Sequence, residues 1–133
     1  MNPLPPYALL LRLRVDDADD ECRLVMPFHE DVVGRPGYLH GGAIAGLLEF
    51  AAFITLARAI GDPAVVMKPI TVTVDYMRGG TPRDTFATAE IQRLGSRIAN
   101  VEAVAWQTER AKPIAAARLN FLLERPRGKA TAR

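Results

Sequence analysis

The sequence predicts an α+β domain in which a curved antiparallel sheet wraps around one long central helix. Three observations lead there. Ala43–Ile60 (AIAGLLEFAAFITLARAI) is apolar on nearly every side at helical length. A hairpin-like pair of segments precedes it, and four strand-like stretches follow it. A lone helix that is apolar all round has to be covered by the sheet it packs on.

Tyr7–Val15 is an apolar run with basic interruptions and reads as a first strand. Asp16–Glu21 (DDADDE) reads as an acidic turn, and Cys22–Pro27 as the returning strand of a hairpin. Phe28–Leu39 carries Gly34, Pro36 and Gly37 and reads as a loop. The helix then runs from Gly41 to Ile60 and is ended by Gly61-Asp62-Pro63. Ala64–Met77 is a long strand with alternation through Ile70–Tyr76, punctuated by Gly79-Gly80-Thr81-Pro82. Thr85–Leu94 and Ile98–Trp106 flank a turn at Gly95-Ser96-Arg97, and Ile114–Leu123 closes the sheet after Lys112-Pro113. The strands after the helix thus read as an antiparallel meander. Residues 1–124 form one domain, and residues 125–133 a polar tail expected to fray.

With 133 residues and 49% hydrophobic content, the chain has a modest core, to which oligomerisation would add stability. A formal net charge of +2, without a basic stripe interleaved with aromatics, makes no case for nucleic acid. The single Cys22 excludes an internal disulfide and suits a reducing cytoplasm. His29 and His40 lack the companions of a metal site, so no zinc is expected. The start, MNPLPPY, has no basic n-region and does not read as a signal peptide. Ala43–Ile60 approaches the length of a membrane span, but Glu49 and Arg58 within it argue against one.

Glu49 is the most informative residue. A lone carboxylate in an apolar helix either finds a partner or does chemistry. The bland alternative is an ion pair with an arginine such as Arg58 of another chain. His40-Gly41-Gly42 at the helix entry favours chemistry, because open backbone N–H groups there stabilise developing negative charge. Glu49 follows Gly42 by seven residues, about 10 Å along the axis. One reacting atom needs base and oxyanion donors each about 3 Å away. One helix is badly placed to supply both, whereas two antiparallel copies can, which predicts a symmetric dimer with composite sites. Gly46 lies on the turn that the Glu49 side chain leans over, where it either leaves a slot or permits close packing.

His40-Gly41-Gly42-Ala43, with Glu49 nine residues after the histidine, resembles the signature of hotdog-fold acyl-CoA thioesterases. The PaaI-like and hydroxybenzoyl-CoA thioesterase group is the most similar. The resemblance runs from the hairpin to Leu123 and includes Val74-Asp75-Tyr76-Met77-Arg78 and the Gly95-Ser96-Arg97 turn. It implies a hotdog fold, a homodimer or dimer of dimers, and hydrolysis of a small acyl- or aryl-CoA. No cofactor is implied beyond the coenzyme A of the substrate. By resemblance, Glu49 acts as nucleophile or general base, and Gly41 with Gly42 beside it polarises the thioester carbonyl. His40 orders the loop. Arg78, Arg93 and Arg97, the last beside Gly95 and Ser96, are candidates for the coenzyme A phosphates. The acyl group is expected in a slot lined by Leu47, Leu48, Phe50 and Phe53.

One departure stands out. Many relatives carry Asn or Gln six residues before the histidine, where it holds water or substrate, and here that position is Gly34. Asp31 is a candidate substitute. The alternatives are dehydration of a hydroxyacyl thioester, whose histidine motif does not match here, and acyl-CoA binding without turnover.

Overall fold

A computed structural model of the chain describes residues 4–18 and 20–126. The order is α1 (Pro6–Leu10), β1 (Arg14–Ala18), β2 (Glu21–Met26), a 3-10 turn at Glu30–Val32, and α2 (Gly41–Ile60). Then follow β3 (Val66–Tyr76), β4 (Thr85–Leu94), β5 (Ile98–Trp106) and β6 (Ala115–Glu124). The strands form one curved antiparallel sheet in the order β1-β2-β4-β5-β6-β3, with α2 packed against it as the central helix. This is the hotdog architecture expected from the sequence.

Alternation decides which side of each strand meets the helix. On β6, Ala115, Ala117, Leu119, Phe121 and Leu123 are buried, and on β5, Ala99, Val101, Ala103 and Ala105. The helix answers with Ala43, Ile44, Leu47, Leu48, Ala51, Ala52 and Leu56. Small side chains on both surfaces let helix and sheet approach closely. Each fully buried leucine there contributes about 1.5–3 kcal/mol. Gly61 ends α2 in the left-handed conformation (φ 69°), its N–H bonded to the Ala57 carbonyl.

The structure corrects the sequence reading in three places. Tyr7–Val15 is not one strand. Pro6 opens a short helix, Ala8 and Leu11 bury at helical spacing, and Arg12 (φ 59°) turns the chain into β1. The acidic segment is also less of a turn than expected. Asp16 and Asp17 extend β1, held by ion pairs to Arg23 and Arg58.

The strands after α2 are not a simple meander. β3 lies at the sheet edge beyond β6, so β6 is interior and does not close the sheet. Pro69 explains the placement. It lacks an N–H, and the β3–β6 register shifts between Pro69 and Thr71, which suits an edge strand.

The helix is not covered all round. Ala45, Gly46, Glu49 and Phe50 are half-buried, while Phe53 and Arg58 are exposed. A single sheet has only one surface to offer, so one flank of α2 stays open. By length and composition α2 would pass for a membrane span, but it is the core helix of this fold. Of the expected polar tail, only Arg125 and Pro126 fall within the described residues.

Candidate active site

The start of α2 is assembled around His40. Its Nδ1 accepts the N–H of Gly42 at 2.8 Å, and its carbonyl accepts the N–H groups of Ala43 and Ile44 at 3.0 and 3.2 Å. His40 is therefore the N-cap, and in the neutral ring its proton sits on Nε2. Gly42 has no side chain because a Cβ would lie 2.9 Å from His40 Nδ1. This revises the expected pair of oxyanion donors. The Gly42 N–H is already taken, whereas that of Gly41 has no acceptor among the described residues.

Tyr76, the last residue of β3, completes this corner. Its hydroxyl donates to the Gly41 carbonyl at 2.8 Å, and its ring sits 3.4 Å from where a Gly41 Cβ would be. The sequence marked Tyr76 only as a strand residue, because alternation cannot show that a strand end meets a helix start. Leu39, Gly41, Ile44, Tyr76, Arg78 and Gly80 line a crevice of about 320 Å³ beside the open N–H.

Glu49 lies eight residues beyond Gly41 on the same unbroken helix, about 12 Å along the axis. It is half-buried and has no hydrogen-bond or ion-pair partner among the described residues. Arg58, considered above as a partner, is held by Asp17 at 2.8 and 3.4 Å. Base and oxyanion donor thus stand apart within one chain.

Gly46 does not leave an open slot. A Cβ there would meet Tyr7 Cε2 at 2.8 Å and Leu11 Cδ1 at 3.0 Å, so the glycine admits α1 and the residues that follow it. Leu47 and Leu48 are fully buried and line no slot either. The accessible apolar groove, about 460 Å³, lies further along α2, with Phe50, Phe53, Ile54, Ile60 and Met67 in its wall.

Gly34 is a steric requirement of the loop. A Cβ at this position would lie 2.9 Å from the His40 Cα. The approach is fixed by the Gly34 N–H on the Tyr38 carbonyl and the His40 N–H on the Val32 carbonyl. Asp31 sits exposed on the 3-10 turn. His29 is buried and structural, Nε2 contacting the Leu11 carbonyl at 3.0 Å while Nδ1 accepts the Asp31 N–H.

The candidate phosphate ligands do not converge within the chain. Arg78 borders the Gly41 crevice and donates to the Pro113 carbonyl at 3.0 Å. Arg93, Gly95, Ser96 and Arg97 line a separate cleft of about 450 Å³. That cleft is at the Val66 end of the sheet, roughly 30 Å from the Tyr76 end.

The model of the thioesterase superfamily matches residues 36–114, which hold the histidine–glycine corner, α2 and β3 to β5. The chain belongs to the thioesterase superfamily. It is a thioester hydrolase. Among solved structures, this thioesterase is similar to a Chromobacterium violaceum protein at 38% identity, covering 90% of this chain and 83% of that one (TM-score 0.74). A Bacillus halodurans protein solved with CoA shares the fold at 20% identity, covering 93% and 82% (TM-score 0.83). A phenylacetic acid degradation-related protein of Ralstonia eutropha does so at 17% identity, covering 91% and 92% (TM-score 0.80). No match was found among curated proteins.

Proposed function

We propose that this thioesterase hydrolyses small acyl- or aryl-CoA thioesters at two composite sites in a homodimer. The observation that carries the reading is the separation, on one unbroken helix, of a Gly41 N–H and a Glu49 carboxylate that both lack partners among the described residues. A twofold dimer removes the separation by setting the Gly41 corner of one protomer against Glu49 of the partner subunit.

The free edge of β3 supports that assembly. It is eleven residues long, and Val66, Ile70, Val72 and Tyr76 on it are exposed. A long apolar edge invites pairing with another strand. Antiparallel pairing of two such edges would bring the Tyr76 end of one protomer beside the Val66 end of its partner.

In the reaction, the thioester carbonyl oxygen accepts the Gly41 N–H, which the helix N-terminus makes a strong donor. The partner's Glu49 carboxylate then attacks the carbonyl carbon, or takes a proton from a water that attacks it. Negative charge gathers on the oxygen facing Gly41, the C–S bond breaks, and CoA leaves as the thiolate. On the nucleophilic route water then hydrolyses the acyl–glutamyl anhydride; on either route the acyl group leaves as its acid and the proton taken from water passes to the thiolate. Phe50 and Phe53 offer an apolar surface for the acyl group next to Glu49. The superfamily match favours hydrolysis over dehydration or binding alone.

A thiol-release screen over a panel of acyl- and aryl-CoAs tests the substrate class. Glu49→Gln is expected to lower kcat about a thousandfold with little change in ligand affinity. The composite site is tested by mixing. Coexpressed Glu49→Gln and Gly41→Pro chains should recover about a quarter of native activity, since half of the random dimers carry one intact site. Recovery no greater than either variant alone would rule out shared sites.

A further inference from the structure

Two consecutive glycines, Gly41 and Gly42, open α2, so the backbone is loosest where the donor has to be aimed. The restraint comes from outside the helix. The Gly41–Gly42 peptide is gripped at both polar atoms. The Tyr76 hydroxyl donates to its carbonyl at 2.8 Å, and its N–H donates to His40 Nδ1 at 2.8 Å. We propose that Tyr76 is a positioning residue for catalysis, fixing the direction of the Gly41 N–H through this peptide and His40. The inference rests on the oxyanion role given to Gly41 above and assigns the side chain that holds it.

The clamp reaches the donor in two steps. His40, gripped through its ring, presents its carbonyl to the N–H groups of Ala43 and Ile44 at 3.0 and 3.2 Å. That carbonyl belongs to the peptide whose N–H is the Gly41 donor, so both peptide planes flanking the Gly41 Cα are tied. Hydrogen bonds at the oxygen and at the N–H of one amide polarise it in the same sense and strengthen each other. Removing the Tyr76 hydroxyl therefore loosens the His40 contact as well. The Tyr76 ring also covers one flank of Gly41, with Cε1, Cζ and the hydroxyl oxygen each 3.4 Å from where a Cβ would stand.

Tyr76 is itself firmly held. Alternation places it on the helix side of β3 with Val74, which packs on the core. Its backbone is in register with the fully buried Ala115 of β6. Just past it, the Met77 and Arg78 N–H groups both donate to the Ile114 carbonyl, at 2.8 and 3.1 Å. Folding alone accounts poorly for the bond to Gly41. Carbonyls at a helix start, unlike the N–H groups there, already have intrahelical partners. Tyr76 is also 54% exposed, so the hydroxyl contributes only modestly to stability.

Thiol-release kinetics on acetyl-, hexanoyl- and benzoyl-CoA test the assignment with Tyr76→Phe, Gly41→Pro and the double variant. Tyr76→Phe keeps the ring and loses only the hydroxyl. It should lower kcat about tenfold and leave KM within about twofold, because the donor matters most as charge develops on the oxygen. In the Gly41→Pro background the same change should cost less than about twofold, since the donor it aims is gone. Tyr76→Phe should sediment as the native protein does and melt within about 4 °C of it. Native kcat in Tyr76→Phe, full multiplication of the two losses in the double variant, or a loss that follows a changed oligomeric state overturns the proposal. Undiminished activity of Gly41→Pro would instead defeat the oxyanion reading. Absence of thiol release by the native protein would defeat the acyl-CoA reading itself.

Discussion

In the proposed reaction, the chemistry at Gly41 depends on one hydrogen atom. Gly41 is the first helical residue of α2, where proline is tolerated, and His40 before it has an extended backbone (φ −70°, ψ 134°) that a following proline accepts. Gly41→Pro therefore removes the donor with little disturbance to the helix. We expect kcat to fall about a hundredfold or more while the melting temperature stays near native. An active Gly41→Pro variant would show that the oxyanion is held elsewhere. Gly34 makes the opposite case, since restoring a side chain should harm rather than help. Gly34→Asn drives a Cβ toward the His40 Cα at 2.9 Å, and backbone cannot yield as a side-chain tip can. It is expected to destabilise the protein by about 1–3 kcal/mol in urea unfolding and to lower kcat through His40. His40, Gly41 and Glu49 were legible as residue types at a spacing. That Gly42 is occupied and Gly34 is sterically required was not, because both depend on how a loop closes on itself.

Among the elements, α1 and the β2 hairpin show how side chains fasten local structure. α1 is seated by Gly46, under Tyr7 and Leu11, and by the buried Ala8. Arg110, after β5, reaches across the sheet to Glu21 with two bonds of 2.8 Å, donates to Thr88, and lies 4.9 Å over the Trp106 ring. The Arg110 hydrogen bond holds the Glu21 carboxyl below its ordinary value of 4.5. A lowered folded pKa means the stabilisation is complete above that value and fades as pH falls below it. Both groups are well exposed, so the pair's share is discounted for solvent screening. Arg110→Ala is expected to lose about 1 kcal/mol at pH 7, including the ring contact. That deficit should shrink in unfolding measurements as the pH is taken progressively below 4.5 and Glu21 gains its proton. A deficit that grows in acid would contradict the assignment. The helix and most strands were readable from periodicity. α1 was not, since a five-residue apolar segment fits helix and strand alike.

For the molecule as a whole, the open flank of α2 and the free edge of β3 are the surface that the proposed dimer would cover. Ile70 is 54% exposed on that edge, and a charge there is a usual device against strand pairing. Ile70→Lys is expected to yield monomers by sedimentation and to lose activity in parallel. A fully active monomer would sink the composite site.

The sequence by itself determined the central helix, the position of its carboxylate relative to the glycine entry, and most strand boundaries. Each of these follows from neighbours along the chain, through apolar spacing and turn residues. Only the tertiary structure decided that β3 occupies an edge, that Tyr76 closes the helix start, and that the Gly41 N–H, unlike that of Gly42, has no acceptor among the described residues. It also put Arg78 at one sheet end and left Arg97 at the other. Periodicity specifies which side of an element is buried, but not which element covers it. Hydrogen-bond partners and charge clusters are chosen between segments distant in sequence, and packing settles that choice.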